Sequence, residues 1–575
     1  MANDLKKLFN LIENKNYSFF IIFLFFLSSI LDLIGIGLIG PYIGLFLNEN
    51  SNTSVYIKNY LLSKLNILDP IIFLAISILV VFFVKIFLVY FINSMVVNFG
   101  NKEMVNMRVS LLKKYQMFAL SEFQKKNKSE YIYNILALTN AYSKLIISIF
   151  KTLGDFIVAL LIILFLSSQN IFVLTSILLI LILLFFSYDK IFRSKLFSYG
   201  ESMNSLSSKL FQIVSETLVG FKEIRLLGKE IFFTKKIKNI SVKWSEFTKK
   251  SILIEIMPKY LIEFIFMFFV IIFTLLLVVT KSDLDEFIPL VATFTVASLR
   301  LFPISNSFLS NIVTIRANKD SIDRLYKVIN SLTDVRLKDE NEDHEGGKTE
   351  KFNDLKITNL CFRYDKEKKF IFKNLNVTLE NNKVVGIFGE SGSGKSTFVD
   401  LITGILMPES GNIKINGKNL NENLNLIKKL TSYLPQQIFL IDGTIQENIA
   451  LGEDIKNVNK QKLYKSIEKA ELNKLVKDLP EGINTRIGDN GTSLSGGQRQ
   501  RIGLARSFYY EKQILIFDEA TNALDTKIER SIIENILQNK KNSLTIIISH
   551  NRDILKECDE IYEIKENTIH LNFKK

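Results

Sequence analysis

The chain is poor in residues that stiffen or cross-link a fold. Its 575 residues include 47 Phe but one Trp, eight Pro and two Cys. Cys361 and Cys558 both lie in the more polar later part and have no metal-ligand spacing. That excludes a disulfide framework and a zinc site, and leaves reduced cytoplasmic thiols. A removable secretory signal is missing too. The first apolar run, Tyr17–Leu47, is too long for one and has no small-residue cleavage site. No internal repeat or low-complexity tract stands out.

What is there divides in two. Hydrophobic residues make up 48%, too many for a soluble enzyme, whereas 23% charged residues are too many for a protein wholly in lipid. Length alone favours two or more domains. The net charge of +14 raises the question of nucleic acid. The basic residues, however, crowd beside the apolar runs, where retention of positive charge in the cytoplasm explains them better. No nucleic-acid partner is expected.

Six runs are long enough to span a bilayer: Tyr17–Leu47, Ile71–Asn93, Leu145–Leu166, Ile171–Phe192, Ile252–Thr280 and Phe287–Ile312. The third and fourth are joined by Ser167–Asn170 and the fifth and sixth by Lys281–Glu286. The second-to-third and fourth-to-fifth connections are long, helix-patterned and basic, with Lys102, Arg108, Lys113 and Lys114 in one and Lys190, Arg193, Lys195 and Lys209 in the other. The long connections and both termini are therefore expected in the cytoplasm.

Residues 331–351 are polar and read as a linker between a membrane domain (1–330) and a soluble domain (352–575). Beyond them, short apolar β-type runs (KVVGIFG, QILIFDE, LTIIISH) alternate with helical patterns. The expected fold is a six-helix all-α transmembrane domain followed by an α/β domain with a buried, mostly parallel sheet.

Gly389-Glu390-Ser391-Gly392-Ser393-Gly394-Lys395-Ser396, with Thr397 next, fits a phosphate-binding loop. It follows the strand-like Val384–Phe388 and precedes the helical Thr397–Leu406, the order that motif needs. Its glycines let backbone N–H groups curl round phosphates, Lys395 adds charge to the β/γ-phosphates, and the Ser396 hydroxyl can ligate Mg²⁺. Farther on, Ile514–Phe517 leads into Asp518, a second metal ligand, and Glu519, which can polarise an attacking water. An isolated Asp-Glu pair after a strand is usually an ordinary loop; here it is a second element of the same site.

Leu494-Ser495-Gly496-Gly497-Gln498 resembles the signature of the ATP-binding cassette family. Further elements match that resemblance in order. Tyr364 matches the aromatic that stacks on adenine, Gln436 the glutamine that touches Mg²⁺ and water, Asn522–Asp525 the loop at the dimer interface, and His550 the switch histidine at the γ-phosphate. Asn522 stands where Ser is more usual, and Arg486–Gly491 resembles an exporter-type loop. The resemblance implies an ATPase using ATP and Mg²⁺. It also implies a homodimer in which each ATP lies between the Gly389–Thr397 loop of one copy and Ser495–Gln498 of the other. Six spans before one cassette resemble the half-transporter exporters of bacterial cytoplasmic membranes, with the cassette on the cytoplasmic side.

In that family short coupling helices end the cytoplasmic extensions. Leu120–Glu130 and a segment around Ser215–Glu230 are the matching stretches, although either could be a solvated amphipathic turn. Three cations fall within the spans: Lys85, Lys259 and Arg300. They could meet an anionic group in transit, or be paired structurally by Asp32, Glu255 and Glu263. Between the first two spans, Ile57, Leu61, Leu65 and Leu68 form an apolar stripe beside Tyr56 and Tyr60, fit either to rest on a membrane surface near a lipid tail or to cap the span pair. With the Asp32–Phe46 stretch DLIGIGLIGPYIGLF, these features are similar to PglK-type flippases of lipid-linked oligosaccharides. Export of peptides or amphipathic drugs on the same fold is the competing expectation.

Overall fold

The computed structural model describes residues 15–47, 69–169, 171–280, 284–330 and 350–575, apart from 366, 368, 489, 490, 520–523, 539 and 540. Two compact units emerge: Met1–Phe118 with Gln124–Val335, and Ala119–Phe123 with Arg336–Lys575. The apolar stripe at Ile57–Leu68 and linker residues 331–349 lie outside the described residues.

The first unit is helical: α1 (Lys15–Leu47), α2 (Pro70–Gln116), α4 (Lys128–Tyr133), α5 (Thr139–Gln169), α6 (Ile171–Val219), α7 (Phe221–Leu226), α8 (Glu230–Thr280), α9 (Leu284–Ala317) and α10 (Lys319–Asn330). The four-residue α3 (Leu120–Phe123) belongs to the second unit, where Leu120 packs on the hydrophobic core. Every expected span falls in a helix. Among the described residues, Asn16–Ile39, Pro70–Gln116 and Lys128–Ser167 are long and apolar enough to cross a bilayer. The fourth to sixth expected spans lie in α6, α8 and α9, many of whose side chains there fall outside the described residues.

Local chemistry sets the ends of these helices. Asp69 caps α2 by accepting from the Ile71 and Ile72 N–H groups, and Pro70 stands where its missing N–H costs nothing. At 47 residues α2 is about 70 Å long, more than twice a hydrocarbon core. Its last third, carrying Lys102, Arg108, Lys113 and Lys114, must therefore leave the lipid. The long basic connections are continuations of spanning helices, and their expected helical pattern has this cause.

The expected coupling stretches are resolved more finely than the sequence allowed. Leu120–Glu130 is not one helix: α3 ends at Phe123, and α4 starts after Asn127, whose side chain accepts from the Ser129 N–H. The second stretch holds α7, set off by Gly220 at its start and by Gly228, whose φ of 60° is open to glycine, just past its end.

Packing in this unit relies on small residues where helices touch. α9 lies against α5 and α1, and α6 against α8 and α9. A Cβ on Gly200 of α6 would overlap the carbonyl oxygen of Ala317 at the end of α9. Asp32 of α1 and Lys85 of α2 are both buried and form an ion pair.

The second unit holds two sheets. One is antiparallel, ordered β2-β1-β4-β5, from β1 (Asp354–Phe362), β2 (Phe372–Glu380), β4 (Ser410–Ile415) and β5 (Lys418–Asn419). The other is ordered β10-β9-β3-β8-β7-β6, from β3 (Val384–Phe388), β6 (Thr431–Leu434), β7 (Ile514–Asp518), β8 (Leu544–Ile548), β9 (Glu560–Lys565) and β10 (Thr568–Lys574). All pairs in it are parallel except β10 on β9. Strand alternation sends Val385, Ile387, Ile514, Ile516 and Ile546 into one core and Val384, Phe517 and Ile547 into another. Both faces are thus covered, which is why these strands read as unbroken apolar runs.

Gly200→Leu is expected to drive α6 from the end of α9 and cost about 1–3 kcal/mol, the usual range for overpacking. A fall of the thermal unfolding midpoint of the purified chain checks it; an unchanged midpoint contradicts the close approach.

Candidate functional site

The parallel register brings four loops to one sheet edge. β3 ends in the Gly389–Ser396 loop, β7 in Asp518 and Glu519, β8 just before His550, and β6 just before Gln436. In an open α/β sheet, the carboxyl ends of the strands flanking a change of strand order form the binding crevice. Here β3 lies between β8 and β9, and β8 carries β7, so the loop after β3 meets the acidic end of β7 across β8.

Gly392 and Gly394 adopt φ of 83° and 106°, which curls the loop and directs its chain into α11 (Lys395–Ile402). Lys395 is buried and its Nζ donates to the carbonyls of Gly389 (2.9 Å) and Glu390 (3.0 Å), so the ammonium sits inside the loop. The Ser393 hydroxyl is buried with no hydrogen-bond partner among the described residues. A loop with its ammonium at the centre and an unspent hydroxyl fits a phosphate group, at the positive end of a helix.

Ser396 and Asp518, 122 positions apart, meet at 3.3 Å (Oγ to Oδ2). Asp518 also accepts from the Tyr433 hydroxyl at 3.2 Å. Burial raises the Asp518 carboxyl above its usual range, and burial together with Asp518 pushes Asp400 up to about 6. Burial and the same carboxylate also raise the Tyr433 phenol. The buried Asp518 carboxyl, with the half-buried Asp400 acting on it, concentrates negative charge beside a serine hydroxyl, and such a donor set suits a hard divalent cation such as Mg²⁺.

Glu519 has φ of 49°, unusual for a residue with a side chain, and its N–H donates to Ile548 O at 3.0 Å across the strand pair. The turn places its carboxylate between Gln436 Nε2, at 2.9 Å from Oε2, and His550 Nε2, at 3.1 Å from Oε1. A carboxylate held at both oxygens by neutral or switchable partners can accept a proton from water. Backbone strain of this kind clusters where chemistry is done.

Tyr364 leaves much of its ring exposed, 42%, with its hydroxyl 3.1 Å from Thr397 Oγ1 and its edge on Phe362. It can offer a flat face to a base. Ser495 opens a different element: it caps α12 (Gly496–Tyr509) by accepting from the Gln498 N–H at 3.3 Å, while Gln498 Oε1 accepts from the Ser495 N–H at 2.8 Å. Gly496, Gly497 and Gln498 form the first turn of that helix. The structure thus gathers Gly389–Thr397, Tyr364, Gln436, Asp518, Glu519 and His550, and places Ser495–Gln498 at a helix start of its own. Asp525 immediately precedes a helix (Thr526–Gln538), whereas Asn522 and Ala523 lie outside the described residues. The Arg486–Gly491 loop is tied to the chain after Gln436 by Ile487 N–H to Gly443 O, 3.0 Å, with Asp489 and Asn490 outside the described residues.

Sequence reasoning passed over Asp400 and Tyr433. Asp400 could have been found, since it follows Ser396 by four positions and so shares its helix face; Tyr433 carries no such local signal.

Of the cations in the spans, Lys85 is paired with Asp32. Lys259 is exposed, with its Nζ 5.8 Å from the Tyr260 ring centre, and the Arg300 side chain lies outside the described residues. Glu255, one of the expected structural partners, instead accepts from Ser310 Oγ at 2.9 Å.

Residues 18–298 match the family description "ABC transporter transmembrane region" and residues 372–522 match "ABC transporter". The chain is 28% identical over 468 residues to an ATP-dependent lipid A-core flippase of Francisella tularensis, covering 79% of this chain and 74% of that protein. It is 35% identical over 252 residues to the toxin RTX-I translocation ATP-binding protein of Actinobacillus pleuropneumoniae, covering 43% and 34%. Two further relatives are matched only in part, the chain spanning 36% and 17% of their lengths. In fold, a bacterial Atm1-family ABC exporter solved with ATP bound superposes with a TM-score of 0.76 over 96% of this chain and 93% of that one, at 18% identity.

Replacing Ser495 by Ala removes the acceptor of the α12 capping pair and is expected to cost about 1 kcal/mol, with Thr at that position restoring most of it. Faster amide exchange confined to 496–500 in Ser495→Ala checks this; equal protection in both variants counts against the cap.

Proposed function

We propose, from the premise that this chain belongs to the ABC transporter family, with an exporter-type membrane domain ahead of its cassette, that two copies of it hydrolyse ATP to move an amphipathic lipid across a bacterial cytoplasmic membrane. The observation that carries the reading is the meeting of Lys395, Ser396, Asp518, Glu519, Gln436 and His550 at one sheet edge, in a chain whose other unit is built of membrane-length apolar helices.

The roles follow from the geometry. Lys395 and the backbone of Gly389–Thr397 bind the β- and γ-phosphates, and Tyr364 stacks on the base. Ser396, Asp518 and Gln436 are the residues that would hold Mg²⁺, whose charge offsets that of the phosphates. Glu519 orients the attacking water and accepts its proton, while His550 and Gln436 fix the carboxylate. Ser495–Gln498, at a helix start of their own, serve the second copy, together with Asp525. The cassette and both termini face the cytoplasm, with the basic extensions of α2, α6 and α8.

The substrate we infer is a lipid with an anionic, sugar-bearing head, and more narrowly a lipid-linked pyrophosphate oligosaccharide. The name of the Francisella relative supports the broader class. Lys259 and Arg300 stay as head-group contacts. Lys85 does not, because burial with Asp32 already compensates its charge. The toxin-translocating relative supports a second reading, export of a polypeptide.

Glu519→Gln is expected to keep ATP binding and lower hydrolysis by about a hundredfold or more, since the amide cannot take the proton. Nucleotide binding and steady-state hydrolysis measured side by side test it, and turnover like that of the parent chain would remove Glu519 from the role.

Lys85→Gln leaves Asp32 as a lone buried charge and is expected to cost about 3–5 kcal/mol, whereas Lys85→Gln with Asp32→Asn restores stability and flipping together. Thermal melting and translocation of labelled lipid-linked oligosaccharide in proteoliposomes check this. A stable double variant that no longer flips would return Lys85 to the substrate. If labelled polypeptide moves and lipid does not, the second reading replaces the first.

A further inference from the structure

Two acids end β7, and one short stretch of chain reaches both. Tyr433 in β6 gives its hydroxyl proton to Asp518 Oδ2 at 3.2 Å. Gln436, three residues on, gives an amide N–H to Glu519 Oε2 at 2.9 Å. Gln436 thus touches the acid that accepts a proton from water, and Tyr433 the one placed for the metal. The strand register explains the second contact. Tyr433 pairs with Ile516, and Asp518, two residues farther along β7, shares the sheet face of Ile516. The phenol therefore runs along that face toward the carboxyl end of the neighbouring strand.

The hydroxyl is not needed to hold β6. Thr431–Leu434 pair with Ile514–Phe517 through the backbone, and the Tyr433 ring packs on the core that contains Ile514 and Ile516. Phenylalanine would meet both demands. What it could not do is donate to Asp518, which is only 5% exposed. A buried carboxylate needs donors. Among the described residues, the two side-chain donors it receives both meet Oδ2, one from Tyr433 and one from Ser396 Oγ at 3.3 Å. Ser396 has a second duty toward Mg²⁺, whereas the one proton of the phenol goes to Asp518 alone.

We propose that Tyr433 is a positioning residue of the ATP site, holding the Asp518 carboxylate at Oδ2 and so fixing how Oδ1 meets Mg²⁺ or its bound water. With one oxygen held, the carboxylate no longer turns freely about its last bond. Hydrogen bonds behind a metal-binding carboxylate commonly decide about ten- to a hundredfold in metal affinity. The role rests on the reading of this sheet edge as a site for ATP and Mg²⁺.

The test uses the full-length chain in detergent and an ATP analogue whose β,γ-imido bridge resists hydrolysis. The analogue is titrated by calorimetry with Mg²⁺ and again in EDTA. Tyr433→Phe is expected to weaken binding with Mg²⁺ by about tenfold or more and to change binding in EDTA by less than about twofold. A merely structural hydroxyl would move both affinities together or neither. Asp518→Ala removes the acceptor, so adding Tyr433→Phe to it is expected to weaken binding with Mg²⁺ no further. Equal losses with Mg²⁺ and in EDTA, or loss of folding in Tyr433→Phe, make the hydroxyl structural and overturn the proposal. Undiminished binding with Mg²⁺ overturns it too, as does a further loss on the Asp518→Ala background. A parent chain that binds the analogue no better with Mg²⁺ than in EDTA instead removes the ATP and Mg²⁺ reading beneath it.

Discussion

Parallel pairing of β3, β8 and β7 holds the site together. Gly386 and Ile387 pair with Ile547 and Ile548, and Phe517 and Asp518 pair with the same two residues from the other side. One central strand therefore sets the distance between the loop after β3 and the acids after β7. All five residues of β8 are buried, so this ruler lies in dry surroundings where a slip in register would expose apolar side chains. The N–H of Glu519 bonds to the last residue of that strand, and a left-handed backbone turn there aims the carboxylate between Gln436 and His550. The strain is tolerated because the sheet over-determines the position.

Charge in the helical unit obeys a harsher rule. In lipid or in a packed interior an ionised group must be paired, face water or meet a ligand. Asp32 and Lys85 take the first course, and both are almost wholly buried. Lys259 is exposed in the single chain described, with its ammonium beside the Tyr260 ring. Arg316 is paired with Asp189, and Lys190 and Arg193 are exposed.

Helix length carries three elements beyond the lipid. α2, α6 and α8 run to 47, 49 and 51 residues, roughly twice what lipid requires. The backbone ladder of α8 is interrupted at Pro258, which has no N–H to donate. Gly220 and Gly228 set the short α7 off from its neighbours.

Much of this was legible from local pattern. Apolar length announced the spanning helices, and the Gly389–Ser396 loop, Asp518-Glu519 and Leu494–Gln498 announced a nucleotide site, because phosphate binding and strand-end carboxylates depend on residues adjacent in the chain. Helix ends were less legible, and Leu120–Glu130 broke in two because the side chain of Asn127 competes for the backbone between its halves. Partnership across distance was not legible at all. Asp32 was one of three acids that could have met Lys85, 53 positions away, and packing of α1 on α2 made the choice. Tyr433 reached Asp518 only because β6 pairs with β7. α6 meets the end of α9 at Gly200 and Ala317, a contact that no periodicity records. Sequence alone determined which chemistry the chain can perform, since that resides in residue types at short spacing. Tertiary structure decided which charges are already satisfied, since that depends on which neighbour comes within hydrogen-bond reach.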